Sequence, residues 1–471
     1  ALGRWNFGLY LPVIYQSNIF DPSDWYRPAG NDEWSFGTDQ DDTQAAVLDA
    51  IADTALKFRF VEFNDRDAFL RGADDASLFF KLGNLNNLSL GYGIVMQDFA
   101  NDTDFPAVRR VGINLGLQGE RFGFEALTNS FGDPEVLGLR LFLGRGFSLG
   151  AGAAVDLFPA SALPSTEAAF ADYIAADPIF VNPAADVSLS ILRNADNLNA
   201  TLFGQAATLV PVLRNAFGDV PAGPFVGAEG LSGDFANIIA NYGVSAGVLG
   251  NIGPIDYRLE YRDFVGEFIP SFYGPGYERL RGDRVIDTLD YALASVNGTI
   301  GTDPIRTTGV YGEAGGTFFD LVTLTGGYFW PWEILEDGTV QITEDDLIDL
   351  SLTVSVPQGT FDFLSNGDLT GSISYIRTGF APTIIGAPLF PEYDRGIEGV
   401  SLIDANTTLA GEIIYPVAPI MNIAVVVTTT VLRNEDGSLQ YDPVTGNPRY
   451  APSITVETRI SGGGGPPASE E

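Results

Sequence analysis

Residues Gly146–Gly150 read GFSLG, the G-x-S-x-G spacing that presents a nucleophilic serine on a sharp strand-to-helix turn. Such a serine needs a base to take its proton, and histidine usually fills that role. The chain has no His and no Cys, and strand-like residues follow Ser148. GFSLG is therefore expected to be a glycine-flanked strand start. The missing His and Cys also remove the usual zinc ligands, thiolate nucleophiles and Cys-held clusters. Carboxylates remain: Asp and Glu total 61. A pair at a fixed separation could hydrolyse a glycosidic bond, but among so many acids the sequence selects no pair. NEDGSLQYDPVTGNPRY, residues 434–450, spaces its acids a little like a calcium loop, yet lacks the glycine and closing Glu of an EF-hand in place. Its Asp436-Gly437 and Gly446-Asn447 pairs are turn signals, so an exposed hairpin is the simpler reading. TEDDLIDL, from Thr343, reads as a solvated loop. No catalytic residue, cofactor or metal site is expected.

One charged constellation has a regular period. In IDYRLEYRDF, Ile255–Phe264, the side chains Ile255, Tyr257, Leu259 and Tyr261 alternate with Asp256, Arg258, Glu260 and Arg262. Period two marks a strand with unlike faces. Opposite charges at i and i+2 can pair along the strand. With Arg140, Asp156, Glu313, Glu457 and Arg459 on other strands they would form a ladder on one wall. In a dry core each ion would cost several kcal/mol to desolvate, whereas a wet lumen or an exposed sheet face removes most of that cost.

The elements that must position these charges are strands. From Leu88 to Phe158 the chain reads as a meander: LSLGYGIVMQDF, VGINLGLQ, FGFEALTNSF, VLGLRLFLG and FSLGAGAAVDLF, joined by QGER, FGDPE and GRG. One face is aliphatic or aromatic; the other is mostly Gly, Ser, Asn, Gln and Arg. Strands of about ten residues with short turns and no intervening helices imply antiparallel, up-and-down order. A soluble sandwich also alternates. Crossing a bilayer takes about 9–11 residues per tilted strand, against about 5–6 in an average soluble one.

Similar strands begin at Tyr242 and Ile255, run through TTGVYGEAGGTFFDLVTLTGGYFWPW, and end at Val356, Gly379 and Ile460. At about 25 residues per strand with its loop, roughly 14–18 strands are expected. The charge-free run Ile413–Leu432 resembles a membrane helix in hydropathy, but Pro416, Pro419 and the β-branched VVVTTTV favour two strands joined at PVAP. Helical patterns open at Asp41, Ser165 and Arg284, and would sit in loops or in a plug. The resulting division is an N-terminal segment 1–54 with a short helix, as plug or periplasmic part, a barrel over 55–460 and a disordered tail over 461–471.

Composition sets the partners. The formal charge is −36, with 25 basic residues, of which only Lys57 and Lys81 are lysines. Nucleic acid is a poor partner for such a chain. Charged residues make up only 18% and glycine numbers 55, which fits neither a disordered chain nor a coiled coil. The first residue is Ala1, with no basic or apolar leader, as expected of a mature exported chain. Tyr328, Trp330 and Trp332 close one strand in GYFWPW, and amphipathic rings favour the membrane–water boundary.

On these dyad strands, short turns alternating with long acidic loops, and aromatic strand ends, the chain resembles bacterial outer-membrane β-barrels of the porin-like kind over most of 55–460. The resemblance implies an all-β transmembrane barrel in the outer membrane, with lipid outside and small solutes or cations passing inside. A homo-oligomer is compatible with it. The chain departs from the pattern where such barrels usually end on an aromatic: its last strand ends at Ile460 and a Gly/Pro tail follows. The alternative is an acidic, self-assembling surface-layer or extracellular structural β-protein whose oily faces pack on neighbouring copies.

Overall fold

The computed structural model describes residues 5–9, 36–38, 40, 42–64, 78–103, 110–119, 121–144, 146–165, 168–194, 198–225, 241–266, 268–299, 304–318, 322–335, 337–342, 347–356, 370–377, 407–418, 421–432, 440 and 449–461. These contain 21 strands in one sheet. They are β1 (Trp5–Leu9), β2 (Phe58–Phe63), β3 (Leu78–Gly83), β4 (Gly112–Gln118), β5 (Phe122–Thr128), β6 (Val136–Leu143), β7 (Phe147–Asp156), β8 (Pro178–Asn194), β9 (Leu198–Thr208), β10 (Val210–Leu213) and β11 (Gly223–Pro224). Then come β12 (Tyr242–Ile252), β13 (Ile255–Val265), β14 (Pro304–Phe318), β15 (Val322–Leu335), β16 (Val340–Ile342), β17 (Leu347–Val356), β18 (Thr370–Arg377), β19 (Thr407–Ala418), β20 (Met421–Val431) and β21 (Tyr450–Ser461).

Successive strands pair antiparallel from β1 to β9. β10 prolongs the line of β9 past Leu209 and pairs with the same neighbour, β8; β11 pairs only with β10. β9 continues directly to β12, and the ladder runs on through β13, β14 and β15. β16 and β17 lie end to end along β15. The ladder then passes through β18, β19 and β20 to β21. β21 also pairs with β1, where Asn6 faces Ser461. The ladder thus returns to its start. With β10, β11 and β16 set aside, 18 strands close an up-and-down antiparallel barrel. Closure gives every ring strand two neighbours and leaves no free edge.

The two rims differ. At one rim, where Trp5 and Ser461 also lie, no more than 3 residues of sequence separate β4 from β5, β6 from β7, β8 from β9, β12 from β13, β14 from β15 and β19 from β20. Long connections such as 84–111, 157–177, 209–241 and 266–303 join strands at the other. They carry α2 (Ala171–Ala176) and α3 (Tyr277–Asn297), while α1 (Thr43–Leu56) leads into β2. Among the described residues no helix is long and apolar enough to cross a membrane.

Alternation sorts the two faces. Leu137, Leu139, Leu141 and Leu143 of β6 all point outward and are exposed, as are Leu259 and Tyr261 of β13. Asn114, Gln118, Glu125, Gln205, Ser245 and Glu260 point inward and are buried. The apolar core therefore does not lie between sheets. It lies inside the ring, where 84–103 and 268–297 fold inward and pack Leu85, Phe99, Phe272, Tyr273, Tyr277 and Leu289 against one another.

Three expectations are corrected here. LSLGYGIVMQDF is not a strand but the first inserted segment. Asn87 and Asp98 take left-handed backbone angles, as do Gly91 and Gly93, and these break an extended ladder. Its apolar residues alternate because they pack inside the barrel, not against lipid. The barrel also takes a strand from the segment expected at 1–54, because β1 pairs with β2 and β21. The inserted segments come from the β3–β4 and β13–β14 connections. Finally, the helix placed at Arg284 starts at Tyr277, and the one placed at Ser165 is a 3-10 turn followed by the short α2. Of the tail expected over 461–471, Ser461 ends β21 and the rest lies outside the described residues, as does most of the stretch between β20 and β21 expected to form an acidic hairpin.

Candidate functional site: a filled lumen and its charged wall

The wall of β8, β9, β12, β13 and β14 places Asp186, Gln205, Ser245, Glu260 and Tyr311 on inward-facing positions. On β13, Glu260 sits between two arginines: Arg258 donates through Nε to Oε1, and Arg262 through Nε to Oε2 at 2.9 Å. The Glu260 side chain is 1% exposed. Arg258 and Arg262 are largely buried with it, because the inserted segment covers this part of the wall. Pairing on both carboxylate oxygens offsets the desolvation that burial imposes. Arg262 lies 3.8 Å from the Tyr311 ring centroid, and Arg258 5.3 Å from that of Phe203. These planar guanidiniums stack as well as pair.

The tip of the first inserted segment meets this wall. The Tyr92 carbonyl accepts from Arg258 Nη2 and from Gln205 Nε2, the latter at 3.3 Å. The Ile94 amide donates to Gln205 Oε1 at 3.1 Å, and Gln205 Nε2 also reaches Ser245 Oγ at 2.9 Å. The Tyr92 ring stacks on Phe203 at 4.7 Å. The second inserted segment holds the other side of the tip: Ser271 N donates to Ile94 O at 2.8 Å and Tyr273 N to Val95 O at 3.0 Å. Cavities of about 20 and 10 Å³ flank the tip, each with room for about one water.

The root of α3 is fixed by a second network. Arg281 grips Asp156 of β7 through Nε and Nη2, both at 2.6 Å, and reaches Glu135 at 2.8 Å. Tyr277 donates its hydroxyl to Asp156 at 2.6 Å. Glu278 takes the Asn129 amide at 2.9 Å and lies 3.3 Å from Arg110. Arg279 donates to Thr407 O and Thr429 Oγ1 and covers the Tyr450 ring, tying α3 to β19, β20 and β21. Burial raises the Glu278 carboxyl above its ordinary range against the pull of Arg110 and Arg281. Asp98 is raised by burial and by the nearby Glu313.

The expected ladder is thus split. Arg258, Glu260 and Arg262 do meet. Glu313 accepts from Tyr311 at 2.6 Å on the next strand. Arg140 instead pairs with Asp186 through two bonds of 3.0 and 2.7 Å, and Asp156 pairs with Arg281. Asp256 is exposed beside the β12–β13 turn. The side chains of Glu457 and Arg459 lie outside the described residues. Tyr328, Trp330 and Trp332 point outward on β15, and the two indoles lie 5.3 Å apart. Sequence reasoning missed Asp186, Gln205 and Arg281. The first two stand on the polar face of AADVSLS and TLFGQAAT, so alternation held a signal for them. Arg281 had none, since nothing in the sequence turns a loop helix into the barrel. GFSLG is the start of β7. Among the described residues no group of three or more potential metal ligands gathers.

The fold therefore defines a closed antiparallel barrel with an apolar outer face and an inward-folded plug. No family pattern matches the sequence, and no curated protein matches it. Among solved structures the chain is similar to Pseudomonas aeruginosa OpdK with vanillate, at 10% identity and a TM-score of 0.28, over 85% of each chain. It is similar to the copper transporter OprC at 9% identity and TM-score 0.27, over 85% of this chain and 70% of that one. A Pseudomonas aeruginosa FadL homologue shares 11% identity, TM-score 0.20, over 81% and 86%. At this level nothing of the neighbours' ligands transfers to this chain.

Proposed function

We propose that this chain is a porin-like channel of the bacterial outer membrane that lets small solutes pass, with a mild preference for cations. One observation carries the reading. On a closed ring, strand after strand turns large apolar residues outward and leaves them exposed, among them Leu141, Leu149, Leu189, Leu202 and Leu259. Water does not tolerate a patch of that extent, whereas a bilayer requires it. Short turns at one rim and long connections at the other suit such barrels. A self-assembling surface protein has less support, because the closed ring offers no strand edge as a template.

The cation preference rests on the −36 formal charge. Paired arginines on the wall make it modest. Detergent-dependent extraction followed by reconstitution in planar bilayers tests the reading. Stepwise conductance with a reversal potential on the cation side is the expected result. A monodisperse protein in plain buffer, with no conductance on reconstitution, overturns the channel; an anion preference overturns only the selectivity.

A further inference from the structure

We propose that Glu260 is the positioning residue of a seal between the plug tip and the barrel wall. This inference rests on the channel reading above. The carboxylate holds Arg258 and Arg262 apart and in plane, one on each oxygen. Arg258, so oriented, spends its remaining Nη2 on the Tyr92 carbonyl of the inserted tip. An arginine without its carboxylate has many rotamers and would lose that direction. Gln205 is the second wall group on the same carbonyl, and it reaches the tip from β9 rather than from β13. The tip carries Gly91 and Gly93 in left-handed conformation. Loss of the seal would open an aqueous path along β12 and β13.

Charge and position predict different outcomes, which makes the inference testable. Glu260→Gln removes a negative charge and Arg258→Gln a positive one. If Glu260 acts through Arg258, both raise single-channel conductance in the same direction, by roughly two-fold. Their selectivity shifts have opposite sign: toward anions for Glu260→Gln and toward cations for Arg258→Gln. The double variant then conducts no more than Arg258→Gln alone, because the two residues act in series.

Opposite selectivity shifts without any rise in conductance would show a purely electrostatic role and overturn the proposal. So would a double variant whose effect is the sum of the singles. Hydrogen exchange gives a readout that does not depend on conduction. In both single variants the amides of 91–94 exchange about ten-fold faster while those of α3 do not change. Unchanged exchange at 91–94 also overturns the seal. A wild-type protein that does not conduct overturns the channel reading, and the exchange measurement still decides the position of Glu260.

Discussion

Arg281 and Asp156 form a two-bond ion pair in which the arginine is 2% and the aspartate 0% exposed, between a helix inside the barrel and the wall around it. The pair joins residues 125 positions apart, and Tyr277 adds a third bond to the same carboxylate. It fixes the plug to β7 where apolar packing alone would allow sliding.

Removing the carboxylate leaves a buried guanidinium without its main partner. Asp156→Asn is expected to destabilise the barrel by about 3–5 kcal/mol, the usual cost of breaking a buried pair from one side. Replacing both residues, with Asp156→Asn and Arg281→Met, should recover part of that loss. Denaturant midpoints in detergent micelles check both. A single variant within 1 kcal/mol of wild type would show that the pair does not anchor the plug.

Acidity should act on the plug in a defined direction. Burial raises the carboxyls of Asp98, Glu278, Asp283 and Asp287 above their ordinary values. Glu313 adds to the shift at Asp98 while Arg258 opposes it; Arg110 and Arg281 oppose it at Glu278, and Arg284 at the other two. A group with a raised folded-state value binds its proton more tightly when folded. Its ionisation therefore costs stability as pH rises through the folded value. Glu135 behaves oppositely: although burial acts first, Arg281 and Arg110 hold it low, and it loses stability only below its ordinary 4.5. Protection of 88–99 and 277–297 in hydrogen exchange should therefore rise as pH falls from neutral toward about 4.5, then decline. A monotonic loss across that window contradicts the assignment.

Glycine serves close approach at Gly150 on the inner face of β7 but not at Gly326, which lies on the outward face of β15 with Leu324 and Tyr328. A side chain at Gly150 would collide with the Asp186 carboxylate, which pairs with Arg140. Gly326 meets nothing within 4 Å. Gly150→Val is expected to cost about 1–3 kcal/mol by overpacking. Gly326→Ala should be neutral or stabilise by about 0.4–1 kcal/mol, by restricting the unfolded chain. Thermal midpoints of the two variants should move apart; equal shifts would contradict the contrast.

Much of the wall was legible in the sequence because strand period is a local property. Tyr242–Ile252, Ile255–Val265 and the break of Ile413–Leu432 into two strands all follow from alternation, glycine turns and proline. The interior was not legible. Leu88–Phe99 alternates as a strand does, and only the angles at Asn87, Gly91, Gly93 and Asp98 turn it into the lumen. Pairings such as Arg140 with Asp186 and Asp156 with Arg281 depend on register and on a helix that folds inward, which no local pattern encodes. The β1 strand was hidden by its five-residue length and its distance from β2 in sequence.

The central claim is that the outer face of the closed ring meets lipid. The chain has no cysteine, so single cysteines can be introduced and spin-labelled without background. Labels at positions 141, 259 and 354 replace outward, exposed apolar residues on three separated strands, and a label at 313 replaces an inward one. In reconstituted vesicles the first three should collide with oxygen dissolved in the bilayer and avoid a water-soluble nickel complex, while the label at 313 should show the reverse. If the labels at 141, 259 and 354 meet only the aqueous reagent, the ring does not face a membrane.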